Sequence, residues 1–199
     1  MAQSQLTVAA REGAGKGQAR ALRRQGLVPG VVYGKGMTAC TVAVDPKELG
    51  RAVATEAGLN TLITLKGDGA FDGKVVILKD VQVHPLRRNP VHYDFQAVDL
   101  SQKVHVMVPV HAIGKSKGEK LGGRLQIIRH ELEVVCLPGS IPTSIDIDVT
   151  ELAIGDVVHI GDVKLPAGTE VPHEVNFTVI TVVGHKAEEA EGAAEGAGA

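Results

Sequence analysis

Arg11, Lys16, Arg20, Arg23 and Arg24 form the densest set of chemically capable side chains in the sequence. From Met1 to Lys35 there are six basic residues and a single acid, Glu12, so this end of the chain would draw a polyanion. On a helix, Arg20, Arg23 and Arg24 stand at i, i+3 and i+4, and their guanidinium groups leave from one face. Such a face cannot pack on a core, whereas Ala19 and Leu22 lie elsewhere on the turn and can anchor it. Arg11 precedes the helix, and Lys16 sits in the turn Gly13-Ala14-Gly15-Lys16-Gly17. Together they supply a curved row of donors suited to phosphate oxygens. The plainer reading of the same residues is a solvated helix, which the scarcity of balancing acids disfavours.

The Gly-rich turn does not fit a nucleotide-phosphate loop. Lys16 is followed by Gly17 instead of Ser or Thr, and Ala10 stands where the first glycine is required. Gly13, Gly15 and Gly17 also miss the dinucleotide spacing. A second polar stretch runs from Asp80 to Phe95, where Gln82, His92 and Asp94 are donors or acceptors on strands. Asp94 can receive from a base amino group or a ribose hydroxyl, a role with no place in a purely electrostatic binder. Taken singly, His84 and His92 also read as exposed strand residues, and Asp94 as a counter-charge to Arg87 or Arg88. The eight histidines show no HExxH or HxxxH spacing, and no Ser or Cys lies in a nucleophile-elbow context. The sequence therefore reads as a binding module, not an enzyme, with no cofactor and no small-molecule substrate.

The elements that must hold these residues are mostly strands, because apolar and polar residues alternate over short windows bounded by Gly, Pro and Asp. Leu6 and Val8, Val42 and Val44, Leu62 to Leu65, Val75 to Val83, and Tyr93 to Val98 mark a β-rich first domain, residues 1–98. Two helices interrupt it. The first is expected over Gly17 to Gln25, ending at Gly26 before a Val28-Pro29-Gly30 turn. The second is expected over Pro46 to Ala57, with Asp45 as cap, Glu48 completing a capping box and Gly58 after the last turn. Residues 99–185 read as an all-β domain. Val104, Val106, Val108 and Val110 share one face of a strand, Ile145, Ile147 and Val149 share another, and Val175, Phe177, Val179, Thr181 and Val183 a third. Lys115 to Gly123 is expected to be a mobile loop. Residues 186–199, rich in Ala, Glu and Gly, are expected to be a disordered acidic tail.

Bulk properties restrict the remaining possibilities. Residues 1 to 100 carry 13 basic against 9 acidic residues and residues 101 to 199 carry 8 against 14, so the two halves do different electrostatic work. Cys40 and Cys136 lack a CxxC or neighbouring histidines, which suggests two buried thiols and neither a disulfide framework nor a metal site. With no long uncharged apolar run and no basic, apolar leader at Met1 to Ala10, the chain reads as cytoplasmic, with no membrane partner.

The motifs Arg11, Gly15-Lys16-Gly17, Arg20, Leu22-Arg23-Arg24, Val28-Pro29-Gly30-Val31-Val32-Tyr33-Gly34, Asp80-Val81-Gln82 and His92-Tyr93-Asp94-Phe95 resemble those of the bacterial large-subunit ribosomal protein L twenty-five family. In the second half, Gly122-Gly123, Glu131-Leu132-Glu133-Val134, Leu137-Pro138 and Ile154-Gly155-Asp156 look like the long form, the general stress protein CTC family. The resemblance covers residues 4 to about 184. It implies a mainly β protein, an N-terminal β-barrel with short helices plus a C-terminal all-β domain. The implied partners are 5S ribosomal RNA at its loop E region, the large ribosomal subunit at its central protuberance, and neighbouring ribosomal proteins. By position it implies that Arg11, Lys16, Arg20, Arg23 and Arg24 contact the RNA backbone. Tyr33 would line the same surface, and Gln82, His92 and Asp94 would approach groove edges and sugars. Ala21 departs from the pattern, since some members carry an arginine there. A rival reading of the stress-linked form is a protein-interaction module acting off the ribosome through the C-terminal half.

Overall fold

A computed structural model describes residues 3–11, 13, 15–55, 57–166, 168–172 and 176–184. The first elements are β1 (Gln3–Ala10), α1 (Lys16–Arg24), β2 (Val28–Gly34), β3 (Met37–Val44), α2 (Pro46–Val53), β4 (Leu62–Lys66), β5 (Val75–Val83) and β6 (Pro90–Ala97). Their six strands close into a barrel in the order β1-β3-β2-β6-β5-β4, sealed by parallel pairing of β4 with β1. Inward positions carry aliphatic and aromatic residues, most of them β-branched, which suit a pleated surface buried on one side. Leu6, Val32, Val42, Val44, Ile63, Leu65, Val76 and Phe95 are all buried there, with Phe71 contributed by the turn between β4 and β5.

Val28-Pro29-Gly30 is the start of β2 and not the expected turn. Pro29 precedes the stretch where β6 pairs with β2, which begins at Gly30, so its missing N–H costs no bond on that side. Gly30 permits the close approach: a Cβ there would lie 2.9 Å from the Tyr93 carbonyl oxygen and 3.3 Å from Phe95 Cε2. The first helix forms within one residue of its expected span at both ends. The second stops at Val53, short of Ala57. Its cap is the Asp45 carboxylate accepting from Lys47 N at 2.8 Å, without the reciprocal Glu48 arm of a capping box. The chain turns away because Thr55 N donates to Val53 O, and because the Thr55 and Thr61 hydroxyls bond each other.

The second half contributes β7 (Val104–Ile113), α3 (Lys117–Lys120), β8 (Arg124–Ile127), β9 (Glu131–Cys136), β10 (Ile145–Asp148), β11 (Val157–His159), β12 (Thr169–Glu170) and β13 (Thr178–Val183). Two sheets result, ordered β10-β7-β9-β12 and β11-β13-β8. The chain is thus mainly β, as expected, with a barrel carrying short helices followed by C-terminal sheets. Its residues group into two compact units. One is Met1–Val110, Glu131–Ile145 and Leu165–Glu174, and the other is His111–His130, Asp146–Lys164 and Val175–Ala199.

The expected inward faces hold at Val104, Val106, Val108 and Val110, and at Ile145, Ile147 and Val149, all buried. On β13 the phase changes part-way. Val179 is buried as expected, but pairing with β11 skips it, and past this bulge Ile180 and Val182 are buried while Val183 is 48% exposed. The expected loop over Lys115 to Gly123 contains α3, whose start is fixed by a Ser116–Glu119 capping box with Ser116 fully buried. Val175 and the residues 186–199 lie outside the described residues, as do Glu12 and Ala14. Both cysteines are free thiols: Cys136 is buried, which pushes its pKa up, and Cys40 is half-buried. Among the described residues no helix is long and apolar enough to cross a membrane.

Candidate nucleic-acid interface

Strand register assembles one row of positions across five barrel strands. Arg11 N donates to Thr41 O at 2.9 Å and Thr41 Oγ1 donates to Arg11 O at 2.7 Å, continuing the antiparallel ladder of β1 with β3. Thr41 stands opposite Val31 on β2, Val31 opposite Asp94 on β6, and Asp94 opposite Asp80 on β5. Val32, Val42 and Phe95, each one residue along, are buried in the core, so this row faces outward. Two residues farther along the same face lie Tyr33 on β2, and, in the other direction, the directly opposed pair Gln82 and His92.

His92 and Asp94 sit at i and i+2 on β6, and His92 Nδ1 lies 2.8 Å from Asp94 Oδ1, off the angle of a linear hydrogen bond. The carboxylate orients the ring and leaves Nε2 as its remaining polar atom. Asp80 and Asp94 face each other, and their charge acts on Tyr33. Its phenol is held above the usual range, first by burial and then by Asp94 and Asp80. The centre of the face is thus a phenol, an amide, an imidazole and two acids, in which the carboxylates can accept from donors such as base amino groups and sugar hydroxyls.

Against β2 and β6 lies α1. At 3.6 residues per turn, Lys16, Arg20, Arg23 and Arg24 fall within an arc of roughly 100°. Ala19, Ala21 and Leu22 on the remaining surface are half-buried. Arg23 fastens the helix: its Nε and a terminal nitrogen both donate to Val91 O on β6, at 3.1 and 2.8 Å. Lys16, Arg20 and Arg24 are exposed, with no ion-pair partner among the described residues. Basic residues in the last turn complement the helix dipole.

Comparison with known proteins gives two family matches. Residues 6–95 match the description "Ribosomal L25p family", and residues 103–186 match "Ribosomal protein TL5, C-terminal domain". The large ribosomal subunit protein bL25 of Syntrophotalea carbinolica is 62% identical over 188 residues, covering 94% of this chain and 90% of that protein. That of Geobacter sulfurreducens is 44% identical over 193 residues, covering 97% and 100%, and that of Desulfosudis oleivorans 48% over 178, covering 89% and 82%. This chain belongs to the bL25 family. A bL25 protein is a structural ribosomal protein, which agrees with the absence of a catalytic motif in the sequence.

In this bL25 chain the nine residues singled out from sequence fall into three settings. Tyr33, Gln82, His92 and Asp94 share one outer face, and Arg23 is bonded to the strand that carries two of them. Lys16, Arg20 and Arg24 project from the helix arc. Arg11 ends the row one residue past β1, its Nε buried without a hydrogen-bond partner. Sequence reasoning missed Asp80 as a member of the face and Thr41 as the residue that holds Arg11. Asp80 had a signal, since it precedes Gln82 by two on a strand. Thr41 had none, because its partner is 30 residues distant.

Proposed function

We propose that this chain binds 5S ribosomal RNA at its loop E region, as a structural component of the large ribosomal subunit in the central protuberance. Relatives covering nearly its whole length are named as large-subunit proteins, which makes it ribosome-associated and cytoplasmic. On this reading residues 1–98 are the RNA-binding domain and residues 99–185 a second all-β domain. The observation that carries it is the outward row from Arg11 to Asp94, flanked by Tyr33, Gln82 and His92 and accompanied by the cationic arc of α1. Lys16, Arg20 and Arg24 neutralise phosphates and release counterions, while Arg23 keeps their helix against β6. The acceptors of the face then read a groove whose edges offer donors, as a non-standard pairing region does, in place of the uniform edge of a regular duplex.

Filter binding of 5S RNA across a salt series tests this. A Lys16→Gln, Arg20→Gln, Arg24→Gln variant should flatten the slope of log affinity against log salt by roughly 2 to 3. The wild-type chain should prefer loop E RNA over an ordinary duplex of equal length. Equal affinity for the two would overturn the loop E assignment.

A further inference from the structure

The turn between β5 and β6 is built more firmly than chain reversal needs. His84 N donates to Asn89 O at 2.9 Å and Arg88 N to His84 O at 2.8 Å, closing the loop. His84 Nδ1 accepts from both Leu86 N and Arg87 N at 3.3 Å, so the ring plugs the turn from inside. Pro85 and Pro90 fix the backbone at either end. Within this frame Arg88 has φ 54, the one non-glycine residue with positive φ among those described. Glycine or asparagine is the ordinary occupant of that conformation, so an arginine there is strained and displayed.

What the tip displays is a matched set. Leu86 is 88% exposed and Val83 50%. Arg87 and Arg88 are exposed without an ion-pair partner among the described residues, and no acid occurs from Val81 to Tyr93. The tip also adjoins α1, because Arg23 is bonded to Val91, the residue after Pro90. The cationic edge of the helix therefore continues into the hairpin.

We infer that the β5–β6 tip is a second nucleic-acid contact, in which Arg87 and Arg88 take phosphates of the strand running on from the segment held by α1, and Leu86 and Val83 cover ribose carbons. The inference rests on the RNA-binding reading above and adds a separate stretch of backbone to it. Uncompensated arginines contiguous with a cationic helix fit a polyanion better than a protein surface, where buried unpaired charge is penalised.

Hydroxyl-radical footprinting of the full chain on 5S RNA, with a salt titration, tests it. Arg87→Gln, Arg88→Gln should lose protection over one backbone segment, keep the loop E protection, and flatten the salt slope by about 1.8. Arg87→Lys, Arg88→Lys should keep the slope, and Leu86→Ser should weaken binding severalfold with the slope unchanged. A footprint and slope like wild type in the glutamine variant overturn the inference while leaving the RNA-binding reading intact. So does equal loss in the lysine variant, since charge would then not be the cause. If wild type itself gives no footprint, the broader reading has failed, and the two failures are thereby distinguished.

Discussion

Arg23 gives two nitrogens to a single carbonyl, and this makes it a fastener of the helix, apart from any part in the proposed RNA contact. Arg24, one residue on, has no such bond. Alanine at either position should lower 5S RNA affinity, by about 1 kcal/mol or more each. Only Arg23→Ala should also lower the melting temperature and reduce amide-exchange protection along α1, and Arg23→Lys should restore little of it, because lysine lacks the planar fork. Asp94 has a different task. Asp94→Ala frees the His92 ring and removes an acceptor, so the ratio of loop E to duplex affinity should fall more than the duplex affinity does; a constant ratio in competition binding would make Asp94 purely structural. The helical spacing of the arginines was legible in the sequence because it is a local period. The partner of Arg23 was not, since Val91 lies 68 residues away and a backbone carbonyl leaves no mark on side-chain pattern.

Among the elements, α3 shows how a composition rule can be overruled by a cap. Lys115 to Gly123 has the Gly, Ser and Lys content of a loop, yet Ser116 and Glu119 bond each other's backbone N–H groups and start a helical turn. Ser116→Ala should therefore cost about 1 kcal/mol in urea unfolding, while Lys115→Ala, one residue earlier, should cost close to nothing. Strands with strict alternation, β7 and β10 above all, were readable because the core selects one face. The start of β2 was misread from Pro29 and Gly30, residues that usually turn a chain; here one avoids a missing bond and the other admits a close neighbour. The bulge at Val179 was equally hidden, because a skipped residue belongs to the pairing of two strands and not to either one.

At the scale of the whole molecule, alkaline stability reports on the barrel core. Burial, and then Asp45, pushes the Tyr93 phenol up to about 12 from its ordinary value of 10.0, so the folded state holds this proton more tightly. That stabilisation is complete below pH 10 and is lost as pH rises from 10 through about 12. Tyr93→Phe should flatten the decline of the urea midpoint over this interval, though the raised Tyr33 keeps part of it. The contrast between a basic first half and an acidic second half was plain from composition, whereas closure of the barrel was not, because the parallel β1–β4 and β2–β6 pairs join distant segments. That closure also imposes an order in time. The arginines of α1 leave the ribosomal exit early in synthesis, but the row they accompany needs β5 and β6, and Arg23 has no carbonyl to grip until Val91 has emerged. A nascent chain ending before Ala97 carries the charge without the outer face of β5 and β6, and so, on the proposed RNA-binding reading, the newly made protein gains selectivity only after its first domain has been translated in full.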